Sequence, residues 1–148
     1  MNQISLQRDF DIRQAAVTND LQQIEPTITS LGSRYAQLNT IRAALKARRQ
    51  RSDFFSAKLF ADPAWDMILE LYAASLTERR LSVSRLAERS GVPMTTALRW
   101  IATLEAEGLI ERQEDPFDKR RYFLLLSDNG ANAMKSFFDQ LQPGTRLL

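Results

Sequence analysis

The sequence predicts a mainly α-helical protein with one small β-hairpin. The fold class is a winged helix-turn-helix preceded by an N-terminal helical extension. Three observations carry this. Gly91 separates two short amphipathic stretches. Two strand-like stretches, 109–114 and 121–126, follow around a turn. Before residue 51, apolar residues recur at helical spacing.

The elements follow in chain order. Residues 1–25 are polar, with apolar positions at Ile4, Leu6, Phe10, Ile12, Val17, Leu21 and Ile24. Helix is expected over part of this stretch, with Pro26 interrupting it, because proline lacks the amide proton a helix interior uses. Leu21, Ile24, Ile28, Leu31, Tyr35, Leu38, then Ile41 or Arg42, then Leu45 recur in steps of three and four. That is the spacing of a coiled-coil seam. Two readings stand: a seam between two copies of the chain over residues 21–48, which we favour, or one helix packed on its own domain.

The connector Ser52 to Asp62 holds Phe54, Phe55, Leu59 and Phe60 and is expected to be pinned to the core. Asp62-Pro63 then starts a helix running to about Leu76, because aspartate caps free amides and proline fits the first helical position. Trp65, Ile68, Leu69 and Tyr72 are its apolar positions. A turn and a short strand are expected over Thr77 to Val83.

Ser84 is expected to cap a short helix, Arg85 to Ser90, with Leu86 and Ala87 inward. Gly91 supplies a sharp turn, since it takes positive φ without a Cβ clash. Pro93 starts a second helix, Met94 to Glu107, whose inward face is Ala97, Trp100 or Ile101, and Leu104. Its first turns expose Thr95, Thr96 and Arg99, with Leu98 beside them. Small hydroxyls approach base edges closely, and an arginine can grip guanine with two hydrogen bonds. Gly108 ends this helix. The strands 109–114 and 121–126 flank Asp115-Pro116-Phe117-Asp118-Lys119-Arg120, and Lys119, Arg120 and Arg121 make the tip of this wing basic. Basic side chains on a narrow hairpin suit the negative potential of the minor groove. The bland alternative, an Asp118–Arg120 pair on a solvated turn, is compatible with that role. Ser127 caps a last helix, Asp128 to about Leu141, striped by Ala131, Met134, Phe137, Phe138 and Leu141.

Composition removes several functions. The 148 residues include no Cys and no His, which excludes thiolate and imidazole catalysis and metal sites built on them. Glu105 and Glu107 lie two apart on a helix, the wrong spacing for paired carboxylate chemistry. The expectation is a protein that is not an enzyme, needs no cofactor or metal, has no membrane helix or secretory signal, and is cytoplasmic. The net charge of +2 is uneven: residues 42–51 carry Arg42, Lys46, Arg48, Arg49 and Arg51 with no acid. This run is read as a solvated helix face in preference to a phosphate-contacting patch. Aromatics such as Phe54, Phe55, Phe60, Trp65 and Tyr72 are read as core packing in preference to a ligand pocket.

Residues 63–130 resemble the winged-helix domain of the MarR family of bacterial transcription regulators. The stretches that carry the resemblance are Gly91-Val92-Pro93-Met94-Thr95-Thr96-Ala97-Leu98-Arg99, Leu104-Glu105-Ala106-Glu107-Gly108-Leu109-Ile110, Asp115-Pro116-Phe117-Asp118-Lys119-Arg120-Arg121 and Ser127-Asp128-Asn129-Gly130. The resemblance implies a homodimer that binds an approximately palindromic operator in double-stranded DNA, and it allows a small-molecule effector of unspecified chemistry. It places the wing arginine on Arg120 and recognition-helix contacts on Thr95, Thr96 and Arg99. The expected DNA-binding set is Thr95, Thr96, Leu98, Arg99, Lys119, Arg120 and Arg121. The expected organisation is 1–51 for helical dimerisation, 52–142 for the winged helix-turn-helix with its C-terminal helix, and 143–148 as a tail. The rival reading is a winged helix that docks another protein without binding DNA.

Overall fold

The structure, a computed structural model, describes residues 3–141; the expected tail at 143–148 and the side chains of Ile4 and Leu6 lie outside the described residues. The chain divides into two compact units, Met1–Ala36 and Gln37–Leu148. Helix α1 runs Gln3–Gln50 and contains Pro26. The expected interruption at Pro26 is therefore corrected. Proline removes one amide donor, and the helix around it is exposed, so water can hydrate the carbonyl one turn back.

In the first unit the apolar stripe is exposed among the described residues. Phe10, Val17, Leu21, Ile24, Ile28, Leu31 and Tyr35 are between 49% and 65% exposed. In the second unit the same register is buried: Leu38, Ile41, Ala44 and Leu45 pack with Leu69, Tyr72, Met134 and Phe138. The expected seam over 21–48 is thus corrected at its C-terminal end, residues 38–45, where the second reading holds: one helix packed on its own domain. Those positions serve their own unit's core, because the face of α2 (Pro63–Leu76) that carries Leu69 and Tyr72 needs a partner. Tyr72 stacks on Phe138 at 5.4 Å between ring centres, and its hydroxyl lies 3.0 Å from Gln37 Oε1. Burial pushes the Tyr72 phenol pKa up, and nearby Asp139 adds to the shift.

The connector departs from expectation. It forms two 3-10 turns, Arg51–Asp53 and Ala57–Leu59, and its Phe54, Phe55, Leu59 and Phe60 are exposed instead of pinned to the core. The rings pack locally: Phe55 meets Phe60 edge-on at 5.7 Å, and the Arg51 guanidinium lies 5.3 Å from the Phe60 ring centre. These side chains sit on short turns with no buried face to join. Of the remaining aromatics read as core, Tyr72 is buried and Trp65 half-buried against Phe137.

Asp62 caps α2 as expected, accepting from the Trp65 amide. Strand β1 (Leu81–Ser82) leads into α3 (Val83–Arg89). The cap of α3 is Ser82, whose hydroxyl accepts from the Arg85 amide at 3.3 Å; this corrects Ser84. Ser82 has extended backbone and Ser84 lies inside the helix. Then come α4 (Met94–Ala106), β2 (Ile110–Asp115), β3 (Asp118–Leu126) and α5 (Asp128–Gln140). The sheet order is β1-β3-β2, all antiparallel, with Leu81 opposite Leu124 and Ile110 opposite Leu126. A second cluster joins α2, α3, α4 and the sheet through Met67, Leu71, Leu86, Ala97, Ile101, Leu104 and Leu124. Ile101, fully buried, is the inward residue where the sequence left Trp100 as an alternative.

The root of the hairpin is pinched. Ser127 Oγ donates to the Gly108 carbonyl at 2.6 Å and accepts from the Gly130 amide at 3.0 Å. A Cβ on Gly130 would lie 2.0 Å from the Leu109 carbonyl oxygen, so only glycine fits there. That explains the last glycine of the Ser-x-x-Gly pattern.

Burial separates two kinds of apolar residue. Ile41→Ala removes a side chain with no exposed area and should lower unfolding free energy by about 2–5 kcal/mol. Leu98→Ala, at a position 45% exposed, should change it by no more than about 0.5 kcal/mol. Denaturant unfolding of the two variants checks both values.

Candidate nucleic-acid interface

The helix-turn-helix is held from behind by a buried carboxylate. Glu70 on α2 is only 5% exposed and pairs with Arg49 near the end of α1 and with Arg89 at the end of α3. Arg89 Nη1 is 3.1 Å from Glu70 Oε2, and Arg49 Nη2 also donates to the Arg89 carbonyl at 2.9 Å. Arg89 is the last residue of α3, so this bridge fixes where the turn Ser90-Gly91-Val92 begins. Gly91 adopts φ of 66°, the left-handed region that favours glycine.

The basic run 42–51 is therefore not a uniform solvated face, which corrects that reading. Arg48 is 9% exposed and bonded through Nε to Asp66. Arg49 is committed to Glu70, and Arg51 has its Nε buried. Arg42 and Lys46 are the exposed remainder that lack an ion pair among the described residues.

Helix α4 buries Ala97, Ile101 and Leu104, which leaves its opposite face outward. Thr95, Leu98 and Arg99 are exposed, and Thr96 is half-buried. Pro93 is the N-cap and provides no side-chain hydrogen bond. The first amides of α4 thus lack a side-chain acceptor, and helix-start amides of this kind are suited to an anion. At the other end, Arg112 on β2 forms a two-point pair with Glu105, Nη2 to Oε2 at 2.9 Å. That hydrogen-bonded partner raises the Arg112 pKa further. The pair fastens the back of α4 to the hairpin.

The hairpin tip is tighter than the sequence suggests. Strand β3 starts at Asp118, so Lys119, Arg120 and Arg121 stand on the strand just past the turn. All three are exposed. Asp115 is buried and accepts from the Phe117 amide at 2.9 Å, which sets the turn. Asp118 Oδ1 accepts from the Arg120 amide at 3.1 Å and from its Nε at 3.3 Å, while the Arg120 side chain stays 92% exposed. The aspartate thus holds the arginine's base and leaves its tip in solvent. Arg99, Lys119 and Arg121 make no ion pair among the described residues. Of the expected set, four side chains therefore lie on α4 and three at the start of β3.

Sequence reasoning missed Phe117, which is 97% exposed at the turn. The available signal was an aromatic between Pro116 and Asp118, where turns favour polar residues.

Residues 76–122 match the sequence model of the MarR family. That stretch, from the end of α2 into β3, is the part of the chain that is similar to the MarR family. A curated relative from Bacillus subtilis (strain 168), the uncharacterized HTH-type transcriptional regulator YwaE, is 25% identical over 107 residues. That alignment covers 72% of this chain and 60% of the relative, so the chain spans about three-fifths of that relative's length. Among solved structures, NadR in complex with 4-hydroxyphenylacetate aligns with TM-score 0.48 and 21% identity, over 76% of this chain and 70% of that one. The MepR–DNA complex of S. aureus aligns with TM-score 0.45 and 22% identity, over 67% of this chain and 76% of that one.

The buried bridge can be broken from its cationic side. Arg49→Met with Arg89→Met strands Glu70 without a cation and should cost about 3–5 kcal/mol. Each single change should cost less, because the other arginine stays. Denaturant titration of the three variants reads this directly.

Proposed function

We propose that the chain is a homodimeric, sequence-specific DNA-binding transcription regulator. The observation that supports this most is the charge placement. Arg99, Lys119 and Arg121 lack ion pairs among the described residues, and Arg120 is held by Asp118 with its tip in solvent. The other basic residues of the region include Arg85, Arg89 and Arg112, which are tied to Glu88, Glu70 and Glu105. Free cations therefore include those on the first turns of α4 and near the wing tip, where a winged helix meets DNA. The match to the MarR family and the relative named as an HTH-type regulator support the same reading.

In this reading α4 enters the major groove through Thr95, Thr96, Leu98 and Arg99. Lys119, Arg120 and Arg121 follow the backbone or minor groove, with Phe117 against the sugars. The uncovered stripe Leu21, Ile24, Ile28, Leu31 and Tyr35 pairs with a second copy and supplies most of the dimer. The two recognition helices then sit about one helical turn apart on a palindromic operator, roughly 34–36 Å. The protein works in the cytoplasm and catalyses nothing. The cavity beside Gly91, about 170 Å³, is smaller than the roughly 300–1,000 Å³ typical of ligand sites and would hold only a small effector. Its lining includes Arg48, Arg51 and Ser90, whose Nη2, Nε and Oγ are buried without a hydrogen-bond partner.

Sites selected from a random duplex pool, then titrated against salt, test the DNA reading. Arg99→Ala should weaken binding by about 1–3 kcal/mol and relax one position per half-site. Arg120→Ala should shrink the log–log salt slope by about two units in a dimer, at roughly 0.9 per phosphate. No selected site would return the rival protein-docking reading, and a slope untouched by Arg120→Ala would sink the wing assignment.

Assembly has its own test. Ile24→Lys with Ile28→Lys and Leu31→Lys should give monomers by sedimentation while the second unit keeps its circular dichroism. A dimer that survives all three charges places the interface elsewhere.

A further inference from the structure

On the other side of the Glu70 bridge lies a second, larger cleft of about 670 Å³, a size typical of small-ligand sites. It is formed wholly within the Gln37–Leu148 unit. Its floor is apolar, with Leu38, Leu45 and Leu81. Its rim carries Arg42, Lys46, Arg79, Arg80 and Arg85, and the bridge arginines Arg49 and Arg89 also line it. Glu70 is the one lining carboxylate, and it is buried and held by those two arginines. Arg85 pairs with Glu88, but both side chains are about two-thirds exposed (67% and 66%), where such a pair is weak. Arg80 lies 5.8 Å from the Phe123 ring centre, a contact that leaves its charge uncompensated. Arg42, Lys46 and Arg79 have no ion pair among the described residues.

So many like charges around one concavity repel each other and focus a positive potential. An anion carrying several charges removes that repulsion, and a monovalent anion does not. We propose that this cleft binds a small phosphorylated ligand with two or more phosphate groups, its uncharged part against the leucine floor. The cations surround a hollow lined by the ends of α1 and α2, by β1 and by α3, whereas a duplex is convex and meets cations on protruding elements such as α4 and the wing. Guanidinium forks match phosphate oxygens two at a time, and six of the seven cations lining the cleft are arginines.

The test is direct and needs no operator. Inorganic tripolyphosphate is titrated calorimetrically into the full chain at physiological ionic strength, with orthophosphate as the monophosphate control. Tripolyphosphate should bind at least about tenfold tighter than orthophosphate, a gap of about 1.4 kcal/mol. Lys46→Ala with Arg79→Ala removes two cations that hold nothing in the fold, and should weaken tripolyphosphate by about tenfold or more. Arg120→Ala, on the wing, should leave it unchanged. Equal losses from the cleft and wing variants would show unspecific attraction to a cationic surface and overturn the proposal. So would no binding at all. A cleft variant that weakens duplex affinity while tripolyphosphate fails to bind would make the cleft a DNA-backbone contact and overturn it as well.

Discussion

A carboxylate taken out of water must be compensated where it lies, and Glu70 imposes that condition on three helices at once. Its partners come from α1 and α3 while it stands on α2. The net stabilisation from such a bridge is small, because desolvation cancels much of the attraction. Its directional demand is large. Two guanidinium groups must converge on one side chain, and Arg49 must also reach the Arg89 carbonyl. The start of the Gly91 turn, and with it the approach to α4, inherits that geometry. The same demand explains why a run of five cations near the end of α1 does not act as one patch. Arg48 and Arg49 are committed inward, and only part of the run faces solvent.

Much of the fold was legible because local chemistry and tertiary packing agree. Asp62-Pro63, Gly91, Gly108 and Ser127 each mark a boundary within a residue or two of the structure. The alternation of apolar and polar residues in α4 and the strands named the inward faces. Failures fall where the partner of a residue is distant in sequence. Nothing near Arg49 announces Glu70, twenty-one residues on. Pro26 was read by a rule for packed helix interiors, and the helix there is open to water. The aromatic connector was read by composition alone, although 3-10 turns give its rings no common face. The three-and-four stripe of α1 is one pattern with two fates, since periodicity records an apolar face and not what covers it.

At the candidate interface the residue types were readable and their freedom was not. Sequence shows nine basic residues between 79 and 121 but not which of them are neutralised. That depends on pairs such as Arg112–Glu105, formed across elements. Arg120 and Asp118 are two apart, and their pairing was foreseeable from that spacing.

The pinch at the base of the hairpin has a consequence for how this protein can change. Ser127, Gly108, Leu109 and Gly130 lock the root of β2 and β3 to α5 through backbone and hydroxyl contacts. Beyond β1, whose pairing stops at Phe123, the hairpin is two-stranded, and its side chains from Lys119 to Tyr122 bury little. Substitutions there cost the core almost nothing. Selection can therefore rewrite the outer wing, residue by residue, without first acquiring compensating stability. The root enjoys no such latitude, so divergence among descendants of this chain should concentrate at the tip and stall at Gly130.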